Sequence, residues 1–127
     1  MGKTYLQLQN DAKPAAFLQA ETACTFWQRF RGLMLRAPLP PGHALLLAPC
    51  ASVHMCWMRF ALDIVYLDKD WKILKIVPRL RPWLGLSLCP GAWGVLEMTA
   101  GEAERLGLAP GQILHSINNR QESGRIG

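Results

Sequence analysis

Two carboxylates lie inside apolar runs where a charge is costly: Asp63 within Leu62-Asp63-Ile64-Val65-Tyr66-Leu67, and Glu97 within Val95-Leu96-Glu97-Met98. A buried carboxylate must find a partner, point outward or stay protonated, because losing its hydration costs several kcal/mol. Two of them facing one cavity would form a general acid/base pair for hydrolase-like chemistry. The plainer reading pairs each with an arginine such as Arg36 or Arg59, or has it accept backbone N–H bonds at a strand end, and this structural role is the favoured one.

Cys50, His54, Cys56 and Cys89 are the weak candidates for metal. His54 and Cys56 are two apart and share a face if extended, and with Cys50 and Cys89 they would complete a tetrahedral Cys3His zinc site. Their spacing is irregular and Cys89 is remote, so small buried thiols are the simpler expectation, with no metal or other cofactor. A cysteine nucleophile with His54 or His115 as base is the remaining covalent chemistry. The sequence holds no Ser-centred elbow, phosphate-cradling glycine loop or HExxH helix, which removes several enzyme classes. Trp83 and Trp93 stand in a Pro- and Gly-rich stretch, where aromatics more often anchor a partner than fill a core.

Short strands would position these residues. Residues 5–8 and 16–18 flank a turn cluster and form a first pair. From residue 25 to 35 the period changes: Phe26, Trp27, Phe30, Leu33 and Met34 recur three and four apart, which predicts one helix capped by Thr22 or Thr25 and weakened at Gly32. Residues 44–47 and 54–60 read as strands, and residues 62–67 and 71–77 form a hairpin about Asp68, Lys69 and Asp70. Residues 78–94 contain Pro78, Pro82, Pro90, Gly85, Gly91 and Gly94 and read as an ordered loop or interrupted edge strand. Residues 95–98 resume the sheet, residues 101–107 turn helically, and residues 112–117 close it. The fold expected is mainly β, at the margin of α+β: a small sandwich or barrel-like sheet in one domain over residues 1–115, with a fraying polar tail over residues 116–127.

The bulk numbers agree with one folded domain. The chain has 127 residues, half of them hydrophobic and 18% charged, with a formal charge of +5. Its positive residues are scattered, so nucleic-acid binding is disfavoured. Residues 37–58 are uncharged at membrane-span length, but Pro38, Pro40, Pro41, Gly42 and Pro49 break any helix there. Residues 1–9 alternate polar and apolar, unlike a secretory signal, so a cytoplasmic location with free thiols is expected.

Four segments in order carry a family resemblance: Arg31-Gly32-Leu33-Met34; the strand of residues 42–47; His54-Met55-Cys56-Trp57-Met58 followed by residues 62–68; and Val95-Leu96-Glu97-Met98-Thr99-Ala100-Gly101 leading to Gly107, Leu108 and Gly111. Over residues 22–114 the chain resembles the bacterial and archaeal domain-of-unknown-function family 192. The resemblance implies a small β-rich fold with a short helix, and no established activity or cofactor. It places the motif positions on Gly32, Leu33, Met34, Trp57, Met58, Leu62, Asp63, Leu96, Glu97, Gly101 and Gly111. Cys56 stands where relatives commonly have an aromatic, which argues against a family-wide metal ligand there. Many relatives are exported, in contrast to the cytoplasmic expectation. The favoured function is a small, monomeric, non-catalytic module binding a small molecule or a protein partner. Its contact residues would be Met34, Trp57, Met58, Trp83 and Trp93; the alternative is an acid/base enzyme using Asp63 and Glu97.

Overall fold

The computed structural model describes residues 5–23, 39–48, 52–54, 60–81 and 86–116. These segments form β1 (Tyr5–Asn10), β2 (Lys13–Ala23), β3 (His43–Leu47), β4 (Ser52–His54), β5 (Leu62–Leu67), β6 (Ile73–Leu80), β7 (Leu86–Leu88), β8 (Gly94–Thr99), helix α1 (Glu102–Arg105) and β9 (Leu114–Ser116). Seven strands make one sheet in the order β6-β5-β8-β3-β2-β1-β9, while β4 and β7 pair as a separate two-stranded ribbon. Of these neighbours, only β2 and β3 run parallel.

The large sheet curls until its ends meet. The Ile73 N–H donates to the Gln112 carbonyl at 2.8 Å, Gly111 N–H to the Ile73 carbonyl at 2.8 Å, and Leu114 N–H to the Trp71 carbonyl at 3.0 Å. Those bonds satisfy backbone groups that an open edge would leave unpaired. Of the two arrangements expected, the barrel-like sheet is the one formed.

Curling gives the sheet an inside and an outside. Leu8, Leu18, Ala20, Ala44, Leu46, Val65, Leu67, Leu96, Met98 and Leu114 fill the inside, joined by Ala103 and Leu106 from α1. Leu45, Leu47, Leu62, Ile64, Tyr66 and Val95 form a second cluster on the outside. The ribbon lies against this outer cluster, for the Tyr66 hydroxyl donates to Ser87 Oγ at 3.0 Å. Every residue of β5 is consequently buried. Its unbroken apolar sequence is that of a strand covered on both faces rather than the alternation of a half-exposed one. Burying each of its large side chains is worth about 1.5–3 kcal/mol.

The hairpin around Asp68 forms as expected: Asp68 Oδ1 accepts N–H bonds from Asp70 at 2.8 Å and Lys72 at 3.0 Å. Elsewhere the boundaries move. The strand expected over residues 54–60 begins at Ser52 and ends at His54, with residues 55–59 outside the described chain. The helix expected over residues 25–35 also lies outside it, as does the tail expected over residues 116–127 except for Ser116, which ends β9. Pro78 does not end its strand, because β6 continues to Leu80. Its partner register jumps between Leu62 and Ile64, a bulge in which Arg79 takes φ +53°. A bulge lets a residue without an N–H sit in a strand without forfeiting a ladder bond.

Gly94 opens β8 where a side chain would crowd the end of β3. A Cβ there would lie 3.0 Å from the Ala48 Cβ and 3.1 Å from the Leu47 carbonyl oxygen. Gly94→Ala is expected to force β8 away from the end of β3 and to destabilise the domain by about 1–3 kcal/mol. Urea unfolding of the two proteins checks this.

Candidate functional site

The Asp63 carboxylate is 1% exposed and accepts three backbone N–H bonds. Asp63 Oδ1 takes the Arg79 N–H at 2.9 Å; Oδ2 takes those of Gly101 and Ala103, each at 2.9 Å. The first bond holds the bulge of β6. The other two satisfy the exposed amino end of α1, whose N-cap residue Gly101 has no side chain to do so and sits at φ +97°. Only glycine adopts that angle freely, and a side chain there would be strained in a turn whose N–H must point at Asp63. Hydrogen bonds to a charged acceptor are each worth about 1.5–3 kcal/mol. Three of them offset a desolvation penalty of several kcal/mol, which is why a charge tolerates the middle of this core.

Glu102, on α1 itself, continues the network. Its Oε1 accepts the Gly42 N–H at 2.8 Å, and Arg105 grips the same carboxylate with Nε at 2.8 Å from Oε2 and Nη2 at 2.8 Å from Oε1. Hydrogen bonding from Arg105 and the Gly42 N–H, with the charge of Arg105, holds the Glu102 carboxyl below its ordinary range against the opposing pull of burial. Thr99 Oγ1 donates to the Leu39 carbonyl at 2.6 Å. Residues 39–42 are thereby tied to α1 and the end of β8. Sequence reasoning missed Glu102; its signal was an acid in the first turn of a short helix with an arginine three residues on.

Glu97 belongs to the other side of the sheet. It is 3% exposed and lies opposite Leu45 on β3 and Ile64 on β5, both members of the outer cluster. Asp63 lies opposite Met98, a member of the inner cluster. One residue of register separates the two acids, and in a strand one residue is the difference between faces. The structure does not bring them into one cavity, and all the Asp63 bonds described go to backbone N–H groups. An acid/base pair has no geometry here.

Of the thiol and imidazole candidates, the described ones lie apart. Cys89 is half-buried against the outer cluster. His54 is at the end of the ribbon opposite Leu86, whereas Cys89 follows Leu88 at the other end. Cys50 and Cys56 are outside the described residues, and among those described no three His, Cys, Asp or Glu side chains gather as a cation site. His115 Nε2 is 2.7 Å from Asp11 Oδ2, an exposed pair joining β9 to the β1–β2 turn. Of the expected contact residues, Met34, Trp57, Met58 and Trp83 lie outside the described residues. Trp93 is half-buried, stacked edge-to-face on Trp71 with centroids 5.4 Å apart.

One surface departs from the usual pattern. In β7, Ser87 is buried while Leu86 and Leu88 are 69% and 53% exposed. The Tyr66 hydroxyl, fully buried, needs a polar partner, and Ser87 supplies it by turning inward. Period-2 alternation then obliges both leucines to face out. Lys75 beside them donates from Nζ to the Leu88 carbonyl at 3.2 Å. No described helix is long and apolar enough to cross a membrane.

Comparison with known proteins places this geometry. Residues 6–116 match the model of the DUF192 family, whose description is "Uncharacterized ACR, COG1430". A UPF0127 protein of Thermococcus sibiricus is 30% identical over 92 residues, which are 69% of this chain and 59% of that protein. The chain thus spans well under two-thirds of that relative's length. A crystal structure from Sinorhizobium meliloti 1021, of a protein named as a candidate transcription regulator, superposes with a TM-score of 0.78 at 26% identity, covering 91% of this chain and 94% of that one. A protein of unknown function from Novosphingobium aromaticivorans shares the fold with a TM-score of 0.76 at 24% identity, over 89% and 84% of the two chains.

Two outcomes follow for the carboxylates. Asp63→Asn replaces an accepting oxygen with a donor facing an N–H, and is expected to cost about 2–4 kcal/mol, read from the urea midpoint. Glu102 ionises more easily folded than unfolded, so its contribution is present above its ordinary value of 4.5 and is lost as pH falls through the lower folded value. Melting temperatures of the wild type and Glu102→Gln should therefore differ at neutral pH and converge in acid below that value.

Proposed function

We propose that this chain, which belongs to the DUF192 family, is a non-catalytic binding module whose partner is a protein docking on the outward face of β7. The observation that carries the reading is the pair of leucines, Leu86 and Leu88, on one face of a three-residue strand, each more than half exposed. A single exposed leucine is ordinary. Two at alternate positions of a short, peripheral strand are an association liability that soluble proteins normally blunt with charge or cover with another element. Among the described residues the other outward-facing large apolar side chains, Leu74 and Ile113, are only 37% and 39% exposed.

This reading keeps residues 78–94 as the recognition segment and moves the anchors. Trp93 is half-buried and packs edge-to-face on Trp71, so the leucines supply the more open apolar area. The Asp63 and Glu97 enzyme reading has no shared site to act in. Nucleic-acid reading, which the name of the S. meliloti protein would suggest, has no element to use among the described residues: α1 has four residues and carries Glu102 and Glu104.

The double variant Leu86→Ser with Leu88→Ser is expected to cost no more than about 1 kcal/mol of stability, since both side chains are more than half exposed. In crosslinking followed by quantitative mass spectrometry, proteins enriched on the wild type should be lost from the variant. An identical crosslinked set for both proteins would contradict the proposal.

A further inference from the structure

The β4–β7 ribbon is built differently from the barrel-like sheet it lies on. Each of its strands has three residues, and the two pair only with each other. A two-stranded ribbon is marginally stable alone in water, so its folded place depends on what holds it to the large sheet. Among the described residues, two side-chain hydrogen bonds do so. One is buried, from the Tyr66 hydroxyl to Ser87 Oγ at 3.0 Å; the other is exposed, from Lys75 Nζ to the Leu88 carbonyl at 3.2 Å. The exposed bond competes with water and adds little. Because β7 turns its serine inward and both leucines outward, the apolar side chains of this strand do not fasten it to the outer cluster.

The ribbon also rejoins the sheet at a defined point. Pro90 and Gly91, the latter at φ +89°, form a turn in which the Ala92 N–H donates to the Cys89 carbonyl at 3.0 Å. The next residue, Trp93, donates its backbone N–H to the Leu67 carbonyl at 2.8 Å. β5 and β8, by contrast, are paired on both sides within the large sheet.

We infer that the ribbon is a flap, which opens as a unit about the Cys89–Ala92 turn while the large sheet stays folded, and that the Tyr66–Ser87 bond is the latch that keeps it closed. Opening uncovers the Tyr66 hydroxyl and the outer-cluster surface around it. The flap is independent of any partner at the leucines, since the latch lies on the opposite face of β7. It also separates two kinds of variant. Removing the latch destabilises the closed protein relative to the open flap, whereas the bonds of Asp63 persist in both and are lost only when the domain unfolds.

Amide hydrogen exchange followed by NMR at rising urea concentrations below the unfolding transition tests this. The protected amides of β4 and β7 should exchange with a shallower urea dependence than those of β5 and β8. Tyr66→Phe, and the milder Ser87→Ala on the ribbon itself, should each speed ribbon exchange by about tenfold or more. Asp63→Asn should speed exchange in β5 and leave the ribbon unchanged. A ribbon whose urea dependence matches that of β5, or that Asp63→Asn speeds as much as Tyr66→Phe does, opens only when the domain unfolds, and the flap would be overturned. Ribbon rates unaltered in both latch variants would overturn it equally.

Discussion

Three backbone N–H groups converge on one buried carboxylate, and most of this fold hangs on that convergence. Asp63 accepts from Arg79, Gly101 and Ala103, groups that belong to the bulge of β6 and the first turn of α1. Among the described residues these N–H groups bond to Asp63 in place of a ladder or capping partner: the bulge breaks the ladder, and Gly101 brings no capping side chain. Replacing Asp63 by an apolar residue would exchange one desolvated charge for three orphaned donors. The same helix then passes the constraint on, through Glu102 to the Gly42 N–H, so a bond near the start of β5 indirectly positions the turn that starts β3.

Seen this way, the residues that stand out in the sequence as chemistry are largely architecture. Asp63 and Gly101 are a carboxylate and the turn that reaches it, far apart in the chain and in contact in space. The Tyr66 hydroxyl makes a comparable demand on the outer face. It draws Ser87 inward, and the cost of satisfying it is the outward exposure of Leu86 and Leu88. The surface proposed for binding is thus a by-product of satisfying a buried hydroxyl.

The strands and the hairpin about Asp68 were legible because alternation, β-branched residues and turn chemistry act locally. The barrel-like closure was legible only as one of two options, since bonds such as Leu114 N–H to the Trp71 carbonyl depend on how far the sheet curls. Pro78 read as a breaker because a bulge depends on the partner strand, and nothing near residue 78 announces Asp63. The faces that Asp63 and Glu97 present were illegible for the same reason: both are buried in adjoining strands, but their faces are decided by a register that places Met98 opposite Asp63. The bland reading of Asp63 as an acceptor of backbone N–H bonds was within reach, because any carboxylate in an apolar strand has to be satisfied. The role of Ser87 was not, as its partner lies 21 residues away in the chain.

Amide hydrogen exchange, followed by NMR, tests the dependence on Asp63 most directly. If the carboxylate holds the bulge and the helix start together, the amides of Arg79, Gly101 and Ala103 exchange as slowly as those of β5 in the wild type. In Asp63→Asn all three should lose protection in concert. Fast exchange at these amides in the wild type, or unchanged protection in the variant, would contradict the account.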